Sequence, residues 1–211
     1  MRVLYVTGLI VVADQVTKLL VKGFTVPLIQ FYHAGMQLGA SIPVMGDFVR
    51  LTFIENPGMA FGIDIGGRLL LTAFSIVASV GIFYYLYRIR SEAFMIRLSL
   101  GMILGGAIGN LVDRIFYGVI FGEAQLFYGK VVDFVDIDFF NLDFLGLHIS
   151  RWPVFNVADA AVSLGVLMML LFHRQFGREE AAAQPAGSSQ TLSSESLDHH
   201  NEIPTSPGNP S

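Results

Sequence analysis

Four stretches of the chain are apolar over about the 20 residues that a helix needs to cross a bilayer. They run over Arg2–Val21, Leu69–Tyr87, Phe94–Asp113 and Val154–Phe172. The pattern predicts four transmembrane helices. They are joined by two long connections, residues 22–68 and 114–153, and by one short connection between the second and third helices.

The long connections contain shorter patterns of a different kind. Val49–Ile54 is typical of a strand, and Val131–Phe140 is a second run that is either strand-like or interfacial. Asn56-Pro57-Gly58 is typical of a turn, since Pro favours its second position and Gly supplies a positive φ at its third. The predicted fold class is therefore a membrane all-α protein with a small β-sheet outside the bilayer.

The arginines indicate which side of the membrane each end occupies. Arg88, Arg90 and Arg97 crowd the short connection, and further arginines precede the first helix and follow the fourth. Because cytoplasmic loops carry an excess of Lys and Arg, these ends are predicted to be cytoplasmic. The two long connections then face outward, and both termini lie inside.

The end of the chain differs in composition from the rest. Residues 178–211 are rich in Ser, Pro, Gly and Ala and contain few large apolar side chains. Such a segment buries too little surface to offset the entropy lost on ordering. We therefore predict a membrane domain over residues 1–177 and a disordered cytoplasmic tail over residues 178–211.

Composition excludes several classes of function. Hydrophobic residues make up 53% of the chain and charged residues 14%, whereas soluble domains carry about 25% charged residues. The net charge is −4, no cysteine is present, and no basic run suggests a nucleic-acid partner. The sequence also lacks the HExxH and GxSxG patterns of zinc peptidases and serine hydrolases. Carboxylates remain the best candidates for catalysis.

The first helix carries two charged residues in its outer half. Asp14 and Lys18 are four residues apart, so they share a helix face and can pair. Ionisable side chains within apolar helices are costly and usually have a partner or a function. Two interpretations stay open, an internal ion pair and a pair that braces an active site or contacts a lipid headgroup.

The third helix combines small residues with a polar end. Its glycines recur every four residues from Gly101 to Gly109, which permits close approach of another helix. Asn110, Asp113 and Arg114 follow on one face at its outer end. They form either a polar cluster that orients other groups or a purely structural cap.

Two further carboxylates are placed where they can meet. Asn156 and Asp159 share a face about one turn into the fourth helix, and Asp133 lies in the apolar run that returns toward that helix. Two carboxyls in close contact cannot both ionise easily, so one keeps a proton at neutral pH. One can then activate a water while the other donates a hydrogen bond to a peptide carbonyl. Spacing alone leaves this a minority interpretation.

Five motifs, taken in order, resemble those of lipoprotein signal peptidase (signal peptidase II), a bacterial membrane aspartic peptidase. They are Asp14–Lys18, Asn56–Phe61, Gly105–Arg114, Val131–Phe134 and Phe155–Asp159. The resemblance covers about Arg2–Phe172. It implies a four-helix bundle with an extracytoplasmic β-cradle in the bacterial cytoplasmic (inner) membrane and an active site at the outer leaflet.

The resemblance also implies chemistry and partners. The substrate is a diacylglyceryl-modified prolipoprotein, cut just before the lipidated cysteine, and membrane lipid is the other partner of an expected monomer. No metal or cofactor is expected. Asp133 and Asp159 match the catalytic pair. Residues that match positions supporting the site or substrate are Asp14, Lys18, Asn56, Gly58, Asn110, Asp113, Arg114 and Asn156.

Residues 115–130 depart from the resemblance, since only a short link is expected there. Their glycines and apolar neighbours predict an extra hairpin or rim over the entrance. Two rival functions are weighed against the peptidase. A proton- or ion-coupled transporter would distribute its carboxylates through the membrane depth, and a lipid-binding scaffold would need no converging pair.

Overall fold

The computed structural model describes most of the chain before residue 184. The described residues are 2–58, 67–138, 142–144, 147–149 and 152–183. The predicted tail from 184 onward, and Met59–Phe61 of the second motif, lie outside the described residues.

Helices make up most of the described chain. Their bounds are Val3–Lys22 (α1), Gly67–Arg88 (α2), Phe94–Val112 (α3), Gly118–Ile120 (α4) and Val157–Ala183 (α5). Three helical runs in the described residues, α1, α2 and Phe94–Ile120, are long and apolar enough to cross a membrane. The apolar part of α5, Val157–Phe172, is shorter.

These helices expose large apolar side chains, as membrane segments do. Tyr5 on α1, Phe74 on α2 and Leu170 on α5 are 82%, 69% and 66% exposed. Lipid tails solvate such surfaces, whereas a water-soluble protein rarely exposes large apolar patches. The protein is therefore a membrane protein built mainly from apolar helices.

The third helical run continues beyond the predicted end at Asp113. A π-helical turn, Asp113–Tyr117, leads directly into α4. The chain then returns, and the Gly129 and Phe127 amides donate to the carbonyls of Arg114 and Ile115. Of the two expected forms of residues 115–130, the hairpin is therefore wrong, because the helix continues to Ile120 and a loop then packs back along it. The rim over the entrance stays a prediction.

The described strands form three antiparallel sheets. The central one has the order β3-β4-β5, and the others pair β1 with β2 and β6 with β7. The strands are Phe24–Val26 (β1), Phe31–His33 (β2), Ser41–Met45 (β3), Val49–Asn56 (β4), Val131–Ile137 (β5), Leu142–Phe144 (β6) and Leu147–Ile149 (β7). The predicted strand Val49–Ile54 lies within β4 and is confirmed, and the run Val131–Phe140 forms β5 as far as Ile137, with residues 139–140 outside the described residues.

A buried apolar cluster joins the central sheet to the helices. Val21 from α1, Phe53 from β4, Val132 and Phe134 from β5, and Tyr117 from the π-helical turn pack together, each at most 7% exposed. Burial of these side chains fixes the sheet over the ends of α1 and α3. This packing places β5, which carries Asp133, beside the helices.

Glycines on α3 let two other helices approach closely. A Cβ on Gly105 would lie 3.0 Å from the Ile10 side chain of α1, and one on Gly106 would lie 2.2 Å from the Ala158 carbonyl of α5. A Cβ on Gly109 would lie 2.7 Å from Asp14. The predicted use of the glycine face for helix packing is confirmed.

The last helix crosses the predicted domain boundary. α5 extends to Ala183, so residues 178–183 continue the last helix beyond that boundary. The contacts divide the chain into a compact unit of residues 1–173 and a second unit of residues 174–211. The disorder of the remaining tail stays a prediction.

Substitution of Gly106 by Ala tests this packing. Because the new Cβ would meet backbone of α5, Gly106→Ala is expected to lower the free energy of unfolding by about 1–3 kcal/mol. Thermal unfolding in detergent measures the change.

Gly81→Ala in α2 is the matched control, since a Cβ there meets no atom within 4 Å. It is expected to leave stability unchanged or raise it by up to about 1 kcal/mol, because Ala favours helix over Gly. Equal melting temperatures for the two variants would contradict the packing assigned to Gly106.

Candidate active site

Lys18 is the centre of a buried charged cluster between α1 and α3. Its Nζ lies 2.8 Å from Asp14 Oδ2 and 2.8 Å from Asp113 Oδ2, and all three side chains are fully buried. It also donates a hydrogen bond to Asn110 Oδ1 at 2.9 Å. The predicted Asp14–Lys18 ion pair is confirmed. It belongs to a larger cluster that crosses two helices.

The first turn of α5 is held by a reciprocal cap. The Asp159 amide donates to Asn156 Oδ1 at 2.9 Å, and the Asn156 amide donates to Asp159 Oδ2 at 3.2 Å. Side-chain caps of this kind satisfy the amides that a helix start leaves unpaired. The Ala158 amide donates to Asp14 Oδ1 at 2.9 Å. Asp159 is therefore fixed by its own helix start, which is tied to α1.

Asp133 is placed by the central sheet. It lies on β5 opposite Ile54 of β4 and is 2% exposed. Asn156 Nδ2 donates to its Oδ1 at 2.6 Å, and Asn56 Nδ2 donates to its Oδ2 at 3.2 Å. Two neutral amides, one from β4 and one from the start of α5, hold this carboxyl.

Two asparagines connect the carboxyls of Asp133 and Asp159. Asn110 Nδ2 donates to Asp159 Oδ1 at 2.7 Å, and Asn156 Nδ2 donates to Asn110 Oδ1 at 3.0 Å. Since Asn156 also donates to Asp133, the chain of contacts runs from one carboxyl to the other. The structure thus brings the strand carboxylate and the helix carboxylate into one hydrogen-bonded cluster.

The environment of Asp133 favours its protonated form. Burial raises its pKa, and the nearby Asp159 raises it further. Hydrogen bonds from Asn56 and Asn156 and the charge of Lys18 act in the opposite direction but are weaker, so the pKa rises to about 7. A carboxyl with this pKa can hold or release a proton near neutral pH.

Gln15 and Tyr117 complete the cluster and had no role predicted from the sequence. Gln15 Nε2 donates to Asp113 Oδ1 at 2.9 Å, and the Tyr117 hydroxyl donates to Gln15 Oε1 at 3.0 Å. Asp113 Oδ2 also accepts the Val132 amide at 3.2 Å. Two features of the sequence could have indicated these contacts. Gln15 directly follows Asp14, and Tyr117 lies four residues after Asp113.

Asn56 and Gly58 form the predicted turn. The Gly58 amide donates to Asn56 Oδ1 at 2.9 Å, and Gly58 has a φ of +92°. This contact orients the Asn56 amide so that its Nδ2 faces Asp133.

Arg114 lies at the border of the site. Its half-buried guanidinium interacts electrostatically with Asp113, Asp133 and Asp159. Within the described part of the chain it makes no hydrogen bond or ion pair through its side chain. Its positive charge acts on both central carboxyls, Asp133 and Asp159.

An apolar cavity of about 420 Å³ opens beside Asp159. Its other lining residues are Ile137, Trp152, Phe155, Ala160, Ser163 and Leu164. A larger cavity, of about 790 Å³, is lined by neither Asp133 nor Asp159. The smaller cavity is the relevant one for chemistry, because it contains a carboxyl of the cluster.

The described residues hold no group of three His, Cys, Asp or Glu side chains arranged to bind a metal ion. Asp133 and Asp159 are instead hydrogen-bonded to amides from Asn56, Asn110 and Asn156. The donors around them are therefore suited to positioning carboxyls. A proton-transfer role fits this arrangement.

The overall fold resembles solved bacterial membrane enzymes. One, determined at 2.3 Å, matches with a TM-score of 0.57 and 22% identity, over 90% of this chain and 94% of that one. Another, at 1.9 Å, matches with a TM-score of 0.57 and 25% identity, over 81% and 90%. Both likenesses concern the fold.

Curated relatives share more of the sequence. A lipoprotein signal peptidase of Desulfitobacterium hafniense is 37% identical over 166 residues, 78% of this chain and 87% of the relative. One of Pelodictyon phaeoclathratiforme is 32% identical over 167 residues, 79% and 86%. The transporter alternative receives no support from these relatives. The family model for signal peptidase (SPase) II matches residues 6–174, a span that contains the whole cluster around Asp133 and Asp159, and the chain therefore belongs to the signal peptidase II family.

Proposed function

We propose that this protein is an aspartic endopeptidase that removes the signal peptide from diacylglyceryl-modified prolipoproteins. Cleavage takes place just before the lipidated cysteine. The peptidase family and the lipoprotein named in its relatives support the reaction and the substrate class. The single observation that carries the aspartic mechanism is the chain of amides that joins Asp133 to Asp159.

The two carboxyls take different roles in this proposal. Asp159 lies in the first turn of α5, where Asn110 Nδ2 and the Asn156 amide donate hydrogen bonds to its two carboxyl oxygens. Asp133, with its raised pKa, holds the proton. Asp159 thus removes a proton from the attacking water, while Asp133 donates a hydrogen bond to the scissile carbonyl oxygen.

Proton transfers complete the proposed cycle. Water adds to the carbonyl carbon, its proton passes to Asp159, and the developing oxyanion is stabilised by the Asp133 proton. The carbon–nitrogen bond then breaks, and the proton held by Asp159 passes to the leaving amine. General acid–base catalysis of this kind contributes about 10²–10⁴-fold in rate.

The surrounding residues act as positioning and substrate-binding groups. Asp14, Lys18 and Asp113 fix α1 and α3, and through them the start of α5 and the strand β5. Asn110 and Asn156 hold the carboxyls. Asn56, Gly58 and Arg114 border the site, and the guanidinium of Arg114, a hydrogen-bond donor, is suited to a carbonyl of the substrate.

The apolar cavity beside Asp159 supports a substrate that carries lipid. Its lining residues include Trp152 and Leu164, which are 56% and 52% exposed. An acyl chain placed there would remove this apolar surface from water and from the membrane interface. Membrane lipid would occupy the same surface when no substrate is bound.

We also propose the membrane arrangement that the sequence predicts. The apolar part of α5 is the fourth transmembrane helix. The arginine-rich ends of the four helices, and both termini of the chain, then lie in the cytoplasm. The site then lies at the outer leaflet of the bacterial inner membrane. Residues 1–177 form the peptidase domain of a monomer that needs no metal, and the tail is dispensable.

Replacement of either aspartate by asparagine tests the mechanism. Asp133→Asn and Asp159→Asn proteins are expected to insert and fold but to cleave a diacylglyceryl-modified precursor about 10²–10⁴-fold more slowly, because acid–base catalysis is lost. Gel-shift assays of the precursor in detergent measure turnover, and thermal unfolding confirms the fold.

Asp47→Asn is the matched control, since Asp47 is 92% exposed and lies before the start of β4, whereas Asn56 of the site is at the end of that strand. The turnover of Asp47→Asn should equal that of the wild type. In a separate test, added chelator should leave the turnover of the wild-type protein unchanged. Full activity in either Asp133→Asn or Asp159→Asn would refute the assignment of these two residues as the catalytic dyad. Strong inhibition by chelator would favour a metal mechanism.

The raised pKa of Asp133 makes activity depend on pH. The protonated carboxyl is the active form, so kcat is expected to fall as pH rises through about 7. A pH–rate profile of kcat measures this limb. A rate that stays constant from pH 6 to about 9, more than one unit beyond that pKa, would contradict the role of Asp133 as proton holder.

Stability should depend on pH through the same group. The folded protein binds the Asp133 proton more tightly than the unfolded chain, whose Asp pKa is about 3.9. Protonation therefore stabilises the fold fully at low pH, and this contribution is lost as pH rises from about 4 to about 7. Relative to Asp133→Asn, the wild-type melting temperature should fall across that window and stay level above it. A constant difference would exclude the shift.

A further inference from the structure

Two buried charges, Lys22 and Glu55, and the partly exposed Lys130 meet beside the site, and none of the three has an assigned role. Lys22, at the end of α1, pairs with one oxygen of Glu55 on β4, and Lys130 lies 2.7 Å from the other. The side chains of Lys22 and Glu55 are 7% and 8% exposed. Side chains alternate along a strand, so Glu55 points away from the face that Asn56 presents to Asp133.

The part of the sheet that these charges hold is short. The β4–β5 register is interrupted between Leu51 and Ile54. Beyond the interruption only three residue pairs remain, Ile54 with Asp133, Glu55 with Val132, and Asn56 with Val131. Strand ends open easily when few contacts hold them. This short ladder carries both Asp133 and the Asn56 amide bonded to it.

The ion pairs hold this ladder from both sides. Glu55 is on the middle pair, Lys130 directly precedes Val131 in the chain, and Lys22 anchors the carboxylate to α1. Burial disfavours the charged form of Glu55, but hydrogen bonds from Lys130 and Lys22 outweigh it and lower its pKa. Through its ion pairs with Lys22 and Lys130, the charged Glu55 links β4, the start of β5 and α1. These three residues form a tie between the sheet and the helix.

We propose that Glu55, held by Lys22 and Lys130, is a positioning residue for the peptidase reaction. It fixes the end of β4 so that the Asn56 amide stays bonded to Asp133 Oδ2. This inference rests on the proposed aspartic mechanism. It adds to that mechanism a group that touches neither carboxyl of the pair.

Residues 115–130 also reach this tie, through Glu123. Its Oε1 lies 2.6 Å from Lys22 Nζ, and the Phe121 ring centroid lies 4.5 Å from the same atom. Glu123 is 41% exposed, and exposed ion pairs contribute little. The segment therefore covers Lys22, while Glu55 supplies the constraint that reaches the site.

Glu55→Gln tests the proposal through the pH profile. Loss of the tie should let the Asn56–Asp133 hydrogen bond open, so kcat is expected to fall about 10–100-fold. That hydrogen bond favours the charged form of Asp133, so its loss should move the alkaline limb of kcat to higher pH, as in Asn56→Ala. The charges of Asp159, Lys18 and Arg114 that face Asp133 are the same in both variants.

The direction of the shift separates two explanations. Removing the negative charge of Glu55 by itself favours ionisation of Asp133 and would move the limb to lower pH. An upward shift therefore reports the hydrogen bond. The Glu55→Gln/Asn56→Ala double variant should be no slower than Asn56→Ala alone, because both changes remove the same Asn56–Asp133 hydrogen bond.

Glu123→Gln and Asp47→Asn are the controls, and both should stay within about twofold of wild-type kcat because they break exposed ion pairs. If Glu55→Gln fails to fold, Lys130→Met, whose side chain is 36% exposed, replaces it in the same double-variant cycle. A wild-type profile in Glu55→Gln, a downward shift, or additive effects would overturn the positioning role. Activity in Asp133→Asn would instead refute the dyad.

Discussion

The buried ammonium of Lys18 is the constraint on which the rest of the site depends. It lies between two fully buried carboxylates, Asp14 on α1 and Asp113 at the end of α3. Removing one partner of a buried ion pair leaves an uncompensated charge and costs about 3–5 kcal/mol. The ion pairs of Lys18 with Asp14 and Asp113 therefore fix the position of α1 relative to the end of α3.

Each carboxylate of this cluster also holds a second element. Asp14 uses its other oxygen to accept the Ala158 amide, which fixes the start of α5. Asp113 accepts the Val132 amide, which fixes β5 next to Asp133. Glycines make the arrangement possible, because a side chain on Gly109 would collide with Asp14. The two proposed catalytic residues are thus placed by charges that take no part in the reaction.

Local sequence patterns predicted the parts of this architecture that depend on neighbours in the chain. Apolar runs gave the helices, the four-residue spacing gave the Asp14–Lys18 pair, and the Asn-Pro-Gly turn gave the positive φ of Gly58. The continuation of α3 through a π-helical turn was missed, because no residue at Asp113–Tyr117 signals a change of helix type.

Contacts between distant residues were also beyond the sequence. Nothing local shows that Asp113 shares Lys18 with Asp14, or that Gln15 bridges Asp113 and Tyr117. The pairing of Asp133 with Asp159 was a minority interpretation from spacing and gained weight only through the family resemblance. These contacts depend on tertiary packing. Those of Asp113 and Tyr117 lie in the π-helical turn that continues α3 beyond its predicted end.

The choice of partner explains why similar buried carboxylates behave differently. Glu55 is buried against two lysines, and its pKa is lowered despite the loss of water. Asp133 is buried against amides, with Asp159 nearby, and its pKa rises to about 7. Asparagine donors orient the Asp133 carboxyl without neutralising its charge, whereas Lys22 and Lys130 both orient Glu55 and favour its anion. The amides around Asp133 therefore keep a proton available near neutral pH, while the charged Glu55 beside them holds the end of β4.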